Sequence, residues 1–183
     1  MLKKLILITN LFFLFVSVFF FAYTTSNNLK YPIQYEEYII QYASKYQLSQ
    51  SLVSSLIFAE SSYNTNATSK SNAQGLMQIK PETAMYILQK NNSFTYTENC
   101  LYNAEINIEI GCMYLRYLFD KFFVEKTVLC AYNAGEGTVS KWLNNKNYSY
   151  DSKNLLSIPY LETQNYVLKI NTAKNFYNRY YKN

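Results

Sequence analysis

Glu60 is the residue of this chain best placed to do chemistry. Leu52, Val53, Leu56 and Glu60 recur at helical spacing, so the carboxyl group closes an apolar stripe and shares its face with three core-type side chains. Apolar neighbours strip away the hydration that favours the charged form, which raises a carboxyl pKa. The polar run that begins at Ser61 ends the helix there, and the negative end of its dipole raises the pKa further. Such a carboxyl holds its proton near neutrality and can deliver it to a leaving group.

Three further segments carry chemically useful groups. Gly75 to Ala84 offers a glycine that allows close approach, the flexible apolar Met77 and the amide of Gln78, which both donates and accepts. Ala131 to Gly135 ends an apolar run with a phenol and an amide side by side, Tyr132 and Asn133. Ile158 to Tyr166 sets Glu162 and Tyr166 one helical turn apart. Singly, each reads as well as structure: a core methionine, a capped helix end, a buried tyrosine. Glu82, Glu105, Glu109 and Glu136 are expected on the surface, because unpaired glutamates are seldom buried. That leaves one strong acid and no clear second, with Glu162 expected to make a supporting hydrogen bond. The chain has no histidine, which removes Ser-His-Asp and Cys-His catalysis, histidine metal sites and histidine proton shuttles.

The elements that must position these groups are helices. The periodicity predicts helices over 32–46, 51–62 with Ser49 as N-cap, 82–89 opened by Pro81, 104–123 as the longest, 126–132 as a central apolar helix, 138–143 and 159–177. Ile106, Ile110, Met113 and Tyr117 mark the expected inner stripe of the longest helix, and its Gly111 is tolerable if another helix packs close. Tyr166, Val167, Ile170, Ala173 and Tyr177 mark that of the last. Gly135 and Gly137 are expected to break the central helix. The fold class is mainly α, with at most a small β element near Gly75 and one hydrophobic helix at the amino terminus.

Composition agrees with one compact helical domain. Of 183 residues, 49% are hydrophobic, with 20 Tyr and 12 Phe against only 4 Gly and 3 Pro. The three cysteines, Cys100, Cys112 and Cys130, form no CxxC pair; Cys112 and Cys130 sit in apolar runs and read as small core residues, and nothing supports a Cys100–Cys112 bridge. The net charge of +5 is spread over lysines with only Arg116 and Arg179 beside them, which argues against nucleic-acid binding.

Lys3 and Lys4 precede an apolar run over residues 5–23, the layout of an export segment. Its length, about 28 Å as a helix, approaches a bilayer core. Three phenylalanines before Ala22 make a poor cleavage site, so an uncleaved anchor is favoured over a cleaved signal peptide, with the domain outside the membrane. Residues 1–23 are thus read as anchor or signal, 24–31 as a tether and 32–183 as the catalytic domain.

Together the four segments resemble the lysozyme-like lytic transglycosylases, the soluble lytic transglycosylase catalytic domain. That family shows Glu-Ser, then Gly-Leu-Met-Gln followed by Pro and Thr-Ala, then Ala-Tyr-Asn-Ala-Gly, then Pro-x-x-Glu-Thr-x-x-Tyr. All four occur here in that order, over about Ser49 to Ile170. The resemblance implies a helical lysozyme-like fold with a glycan cleft. Its substrate would be peptidoglycan, cut between N-acetylmuramic acid and N-acetylglucosamine to leave a 1,6-anhydro end. Glu60 would act as acid and then base; Ser61, Met77, Gln78, Tyr132 and Asn133 would line the cleft or position the glutamate; Tyr166 would support the site. No metal or cofactor is implied. Asn72 and Glu136 depart from the family's common Gly and Pro. Asn tolerates left-handed backbone, while Glu136 is expected to loosen its turn and add charge near the cleft.

Two other readings remain open: a hydrolytic muramidase resembling goose-type lysozyme, and a wall-binding or assembly protein with little turnover. By analogy alone, an envelope-tethered wall cutter suits passage of a secretion or conjugation apparatus.

Overall fold

A computed structural model describes residues 10, 12–19, 30–93, 95–97 and 99–182. The chain divides into two units, residues 1–33 and 34–183. In the first, residues 12–19 are helical, and Phe12, Phe13, Phe15 and Phe19 are exposed. Much of the expected 5–23 anchor, and all but Lys30 and Tyr31 of the 24–31 tether, lie outside the described residues. Among the described residues, no helix is long and apolar enough to cross a membrane.

The second unit is built from α1 (Glu36–Lys45), α2 (Gln50–Ser61), α3 (Pro81–Lys90), a 3-10 turn (Cys100–Tyr102), α4 (Ala104–Phe122), α5 (Glu125–Ala134), α6 (Glu136–Leu143) and α7 (Leu161–Tyr180). Local chemistry sets the starts. Ser49 accepts the Leu52 N–H at 3.2 Å, Asn103 accepts the Ile106 N–H at 3.0 Å, and Pro81 takes the first position of α3, where its missing N–H costs nothing. Among the described residues the β content is two isolated antiparallel bridges, Thr68–Gln74 and Gln74–Ile79, around Gly75.

The long helix α7 packs along α2, while α5 lies between α4, α6 and α7. All five residues of the expected α7 stripe are buried, as are Thr127 to Ala131 at the centre of α5. The three cysteines are free and buried, and burial pushes the thiols of Cys112 and Cys130 up.

Several expectations need correction. Among the described residues the longest helix is α7, of 20 residues against 19 in α4, because its polar last turn gives no hydrophobic signal to extend it. In α4, Ile110 and Met113 are buried as expected, but Ile106 and Tyr117 are half-exposed, and the buried face widens to take in Asn107, Ile108, Gly111, Cys112 and Leu115. The group packed on Gly111 is the Met77 thioether, not a helix: a Cβ there would lie 2.2 Å from Met77 Sδ. Gly137 lies inside α6, so Gly135 alone separates α5 from α6. Glu109, expected exposed, is largely covered and bound by Lys45 at 2.7 Å. Glu105 accepts from Tyr42 at 3.0 Å. Glu136 is tied to α4, where Tyr117 and Lys121 both donate to its carboxylate at 2.8 Å.

Gly75 has φ +74°, and an added Cβ would stand 2.1 Å from the Leu101 carbonyl oxygen and 2.3 Å from Asn107 Nδ2. Both the backbone conformation and the space demand glycine there. Gly75→Ala should cost on the order of 3 kcal/mol, from overpacking and strain together. Urea unfolding of the two proteins would measure it; a loss below about 0.5 kcal/mol would mean the loop yields without resistance.

Candidate active site

Glu60 is the second-last residue of α2. Ser62 (φ 51°) and Tyr63 (φ 68°) follow in left-handed backbone, and the Tyr63 ring is buried, so the chain turns sharply beyond the acid. The Glu60 carboxyl accepts a hydrogen bond from Tyr166 Oη at 2.6 Å. Burial pushes the carboxyl up to about 7, while the Tyr166 bond and the Lys169 charge work against that rise. Burial, with the Glu60 carboxyl nearby, holds the phenols of Tyr166 and Tyr132 well above their ordinary range, so both remain hydrogen-bond donors.

A second wall comes from the loop between α2 and α3. Its organiser is Asn107 of α4, fully buried. Asn107 Oδ1 accepts the Met77 N–H at 2.7 Å, and its Nδ2 donates to the carbonyls of Gln74 at 2.9 Å and Leu101 at 2.8 Å. Gln78, at φ 48°, donates through Nε2 to the Gly75 and Ala67 carbonyls. Asn72 has φ 61°, the left-handed conformation expected of it. Tyr132 then ties this loop to α5 by donating to the Met77 carbonyl at 2.8 Å.

The end of α5 supplies the third side. Asn133 Oδ1 accepts from Thr163 Oγ1 at 2.7 Å, which fixes one face of its amide from α7. Gly135 closes the helix at φ 86°. Between these walls lies a cleft of about 490 Å³ into which Glu60, Gln78, Tyr114, Tyr132, Asn133 and Glu162 all face. Lys80 and Glu82 line it too.

The structure therefore gathers Glu60, Gln78, Tyr132 and Asn133 around one cleft. Ser61, Met77 and Tyr166 stand outside its lining. The Ser61 hydroxyl bonds back to the Ile57 carbonyl at 3.3 Å, Met77 is fully buried against Gly111, and Tyr166 sits behind Glu60. The supporting hydrogen bond expected of Glu162 is replaced by exposure in the cleft, since its side chain leaves α7 at the first turn. Sequence reasoning missed Tyr114, Asn107, Thr163 and Lys169. Asn107 had a usable signal, a lone amide between Ile106 and Ile108 in an apolar helix. Thr163 had one as well, three residues before Tyr166 on the same helix. Among the described residues, no group of three His, Cys, Asp or Glu side chains is gathered for a metal ion.

This arrangement can hold a proton near neutral pH, give it to an atom in the cleft, and steady the resulting carboxylate with a phenol. Comparison with known proteins bears on which atom that is. Residues 37–155 match the family model described as "Transglycosylase SLT domain". The soluble lytic murein transglycosylase of Escherichia coli K12 is 34% identical over 155 residues, covering 83% of this chain and 24% of its own. The membrane-bound lytic murein transglycosylase C of Photorhabdus laumondii is 31% identical, covering 79% and 46%. Among solved structures, the 70-kDa soluble lytic transglycosylase of Escherichia coli superimposes with a TM-score of 0.71 at 31% identity, over 83% of this chain and 25% of that one. An inactive mutant of the Pseudomonas aeruginosa lytic transglycosylase Slt shares the fold, with a TM-score of 0.75 at 24% identity over 85% and 25% of the two chains. The chain thus spans about a quarter of the length of the soluble relatives.

Proposed function

Because this chain belongs to the family of the transglycosylase SLT domain, with its lysozyme-like helical fold, we propose that it is a peptidoglycan lytic transglycosylase. One observation carries the reading: a single carboxyl with a pKa of about 7, hydrogen-bonded by Tyr166, faces a cleft large enough for sugar rings. In the first step Glu60 gives its proton to the glycosidic oxygen between N-acetylmuramic acid and N-acetylglucosamine, and the C1–O bond breaks. In the second, the Glu60 carboxylate takes the proton of the muramic acid 6-hydroxyl as O6 bonds to C1. The product is a 1,6-anhydro end, Glu60 regains its proton, and neither water nor a cofactor is consumed.

The roles divide by position. Gln78, Tyr132 and Asn133 meet the sugars from the cleft walls. Ser61, Met77 and Tyr166 act from behind, holding the turn after α2, the loop under Gln78 and the acid itself.

A second reading, a hydrolytic muramidase, has a specific observation in its favour: Glu162 also faces the cleft and could activate water. Mass spectrometry of the muropeptides released from purified peptidoglycan by the full chain separates the two. Products lighter by one water are expected. Reducing ends would assign hydrolysis, with Glu162 as the first residue to replace. No release by a folded protein would favour a wall-binding or assembly role.

The reading puts the protein in the bacterial cell envelope, with residues 5–23 as anchor or export signal and the domain outside the membrane; the relatives' names include both soluble and membrane-bound forms. A role beside a secretion or conjugation apparatus rests on analogy alone. Fractionation and amino-terminal sequencing should find Met1 or Leu2 in the membrane fraction. A soluble form beginning near Tyr23 would mean that the segment is removed.

A further inference from the structure

The helix α7 holds the end of α2 at two consecutive residues. Tyr166 donates to the Glu60 carboxyl at 2.6 Å, and Lys169, one turn further along the same face, donates from Nζ to the Ala59 carbonyl at 2.7 Å. The last carbonyls of a helix have no intrahelical partner and form the negative end of its dipole. The Ala59 carbonyl belongs to that set, and the next residue is the acid. The Lys169 stem crosses the Phe58 ring, with Nζ 5.4 Å from its centroid, so the ammonium is held from two sides.

We propose that Lys169 is a positioning residue for the acid: bound to the Ala59 carbonyl, its ammonium offsets the negative end of α2 and sets the pH range over which Glu60 keeps its proton. The inference deepens the lytic-transglycosylase reading and rests on it for its catalytic meaning. The groups that face Glu60 fit this assignment. From α7 come the Tyr166 phenol, Lys169 and, across the cleft, Glu162; from α5 comes the Tyr132 phenol, backed by Tyr114 of α4. Lys80 and Glu82 line the same cleft with opposite charges. Of the nearby ionisable groups, Lys169 is the one whose positive charge acts on Glu60, and it opposes the burial that raises the acid. Without it the carboxyl would keep its proton to a somewhat higher pH. It would then give up its proton less readily in the first step and take one back more readily in the second.

The test reads the carboxyl directly. Infrared difference titration of the full chain gives the Glu60 midpoint as the protonated carboxyl band that Glu60→Gln removes. Lys169→Met should move the midpoint up by about half a pH unit, since a solvent-exposed cation acts through partial screening. Lys169→Arg, which keeps the charge, should leave it in place. Because Lys169 is exposed, both variants should fold, and Lys169→Gln provides a second neutral replacement. An unmoved midpoint in both neutral variants, or an equal movement in Lys169→Arg, would overturn the proposal and leave Lys169 a structural tie. The descending limb of kcat/KM against pH should move with the midpoint. If the wild-type chain releases no muropeptide, the functional reading fails, and the titration still decides the role of Lys169.

Discussion

Glu60→Gln is expected to lower turnover on peptidoglycan by at least about a thousandfold, since one group serves as acid and then base. Its effect on stability should have the opposite sign. The folded Glu60 carboxyl binds its proton more tightly than in the unfolded chain, with a pKa of about 7 against an ordinary 4.5. Between those values the native state holds more protons than the unfolded state, so stability falls as pH rises through that window and stays low above it. Gln is neutral throughout, and its Oε1 can still accept the Tyr166 bond. The variant should therefore be the more stable protein at pH 8, by about 2–3 kcal/mol, with the difference fading below the unfolded carboxyl's pKa. Urea unfolding at pH 4 and pH 8 provides the comparison, alongside muropeptide release at neutral pH. Equal stabilities at pH 8 would mean that Glu60 is not held against its charged form. Residual activity above a tenth would mean that another acid does the work, and Glu162 would be the one to replace.

What the sequence made legible follows from the range of the forces involved. The α7 stripe from Tyr166 to Tyr177 was readable because one face meets the core and the other meets water, which leaves a clean helical period. In α4 the same reading was half right, since Ile110 and Met113 are buried and Ile106 and Tyr117 are not. That helix is covered by α1, α3, α5 and the 3-10 turn, so burial spreads beyond one stripe and takes in Asn107 and Gly111. Glu109 looked exposed because its partner, Lys45, lies 64 residues away, and no local pattern announces such a pair. Glu136 misled for the same reason: Tyr117 and Lys121 belong to another helix. At the site, the raised carboxyl of Glu60 could be inferred from its own helix. Its neighbours on α7 could not be inferred from spacing, since Tyr166 is 106 residues distant and Lys169 reaches backbone, not a side chain.

Asn107→Ala should be among the most damaging substitutions in the domain, although Asn107 touches neither the cleft nor Glu60. Its amide satisfies three backbone groups at once: the Met77 N–H and the carbonyls of Gln74 and Leu101. It is fully buried, so water cannot readily take over those bonds. Leaving a buried polar group unpaired costs about 1–3 kcal/mol. Three such groups, with some relaxation of the loop, give an expected loss of about 3–5 kcal/mol, a large share of a small domain's stability. The damage should also reach the cleft by a definite route. Freed from Asn107, the Met77 backbone no longer presents its carbonyl to Tyr132, and the wall carrying Gln78 loses its anchor to α4. Protein that remains folded should show a higher KM for glycan strands and a smaller change in kcat, because Glu60 and Tyr166 stand on other helices. Asn107→Asp keeps the acceptor for Met77 but loses both donors and buries a charge, so it should be no better than alanine. Urea midpoints for the three proteins, with KM and kcat for those that fold, test the chain of support. A loss below about 1 kcal/mol for Asn107→Ala would mean that the loop is held by its own turns, with Asn107 only filling space beneath it.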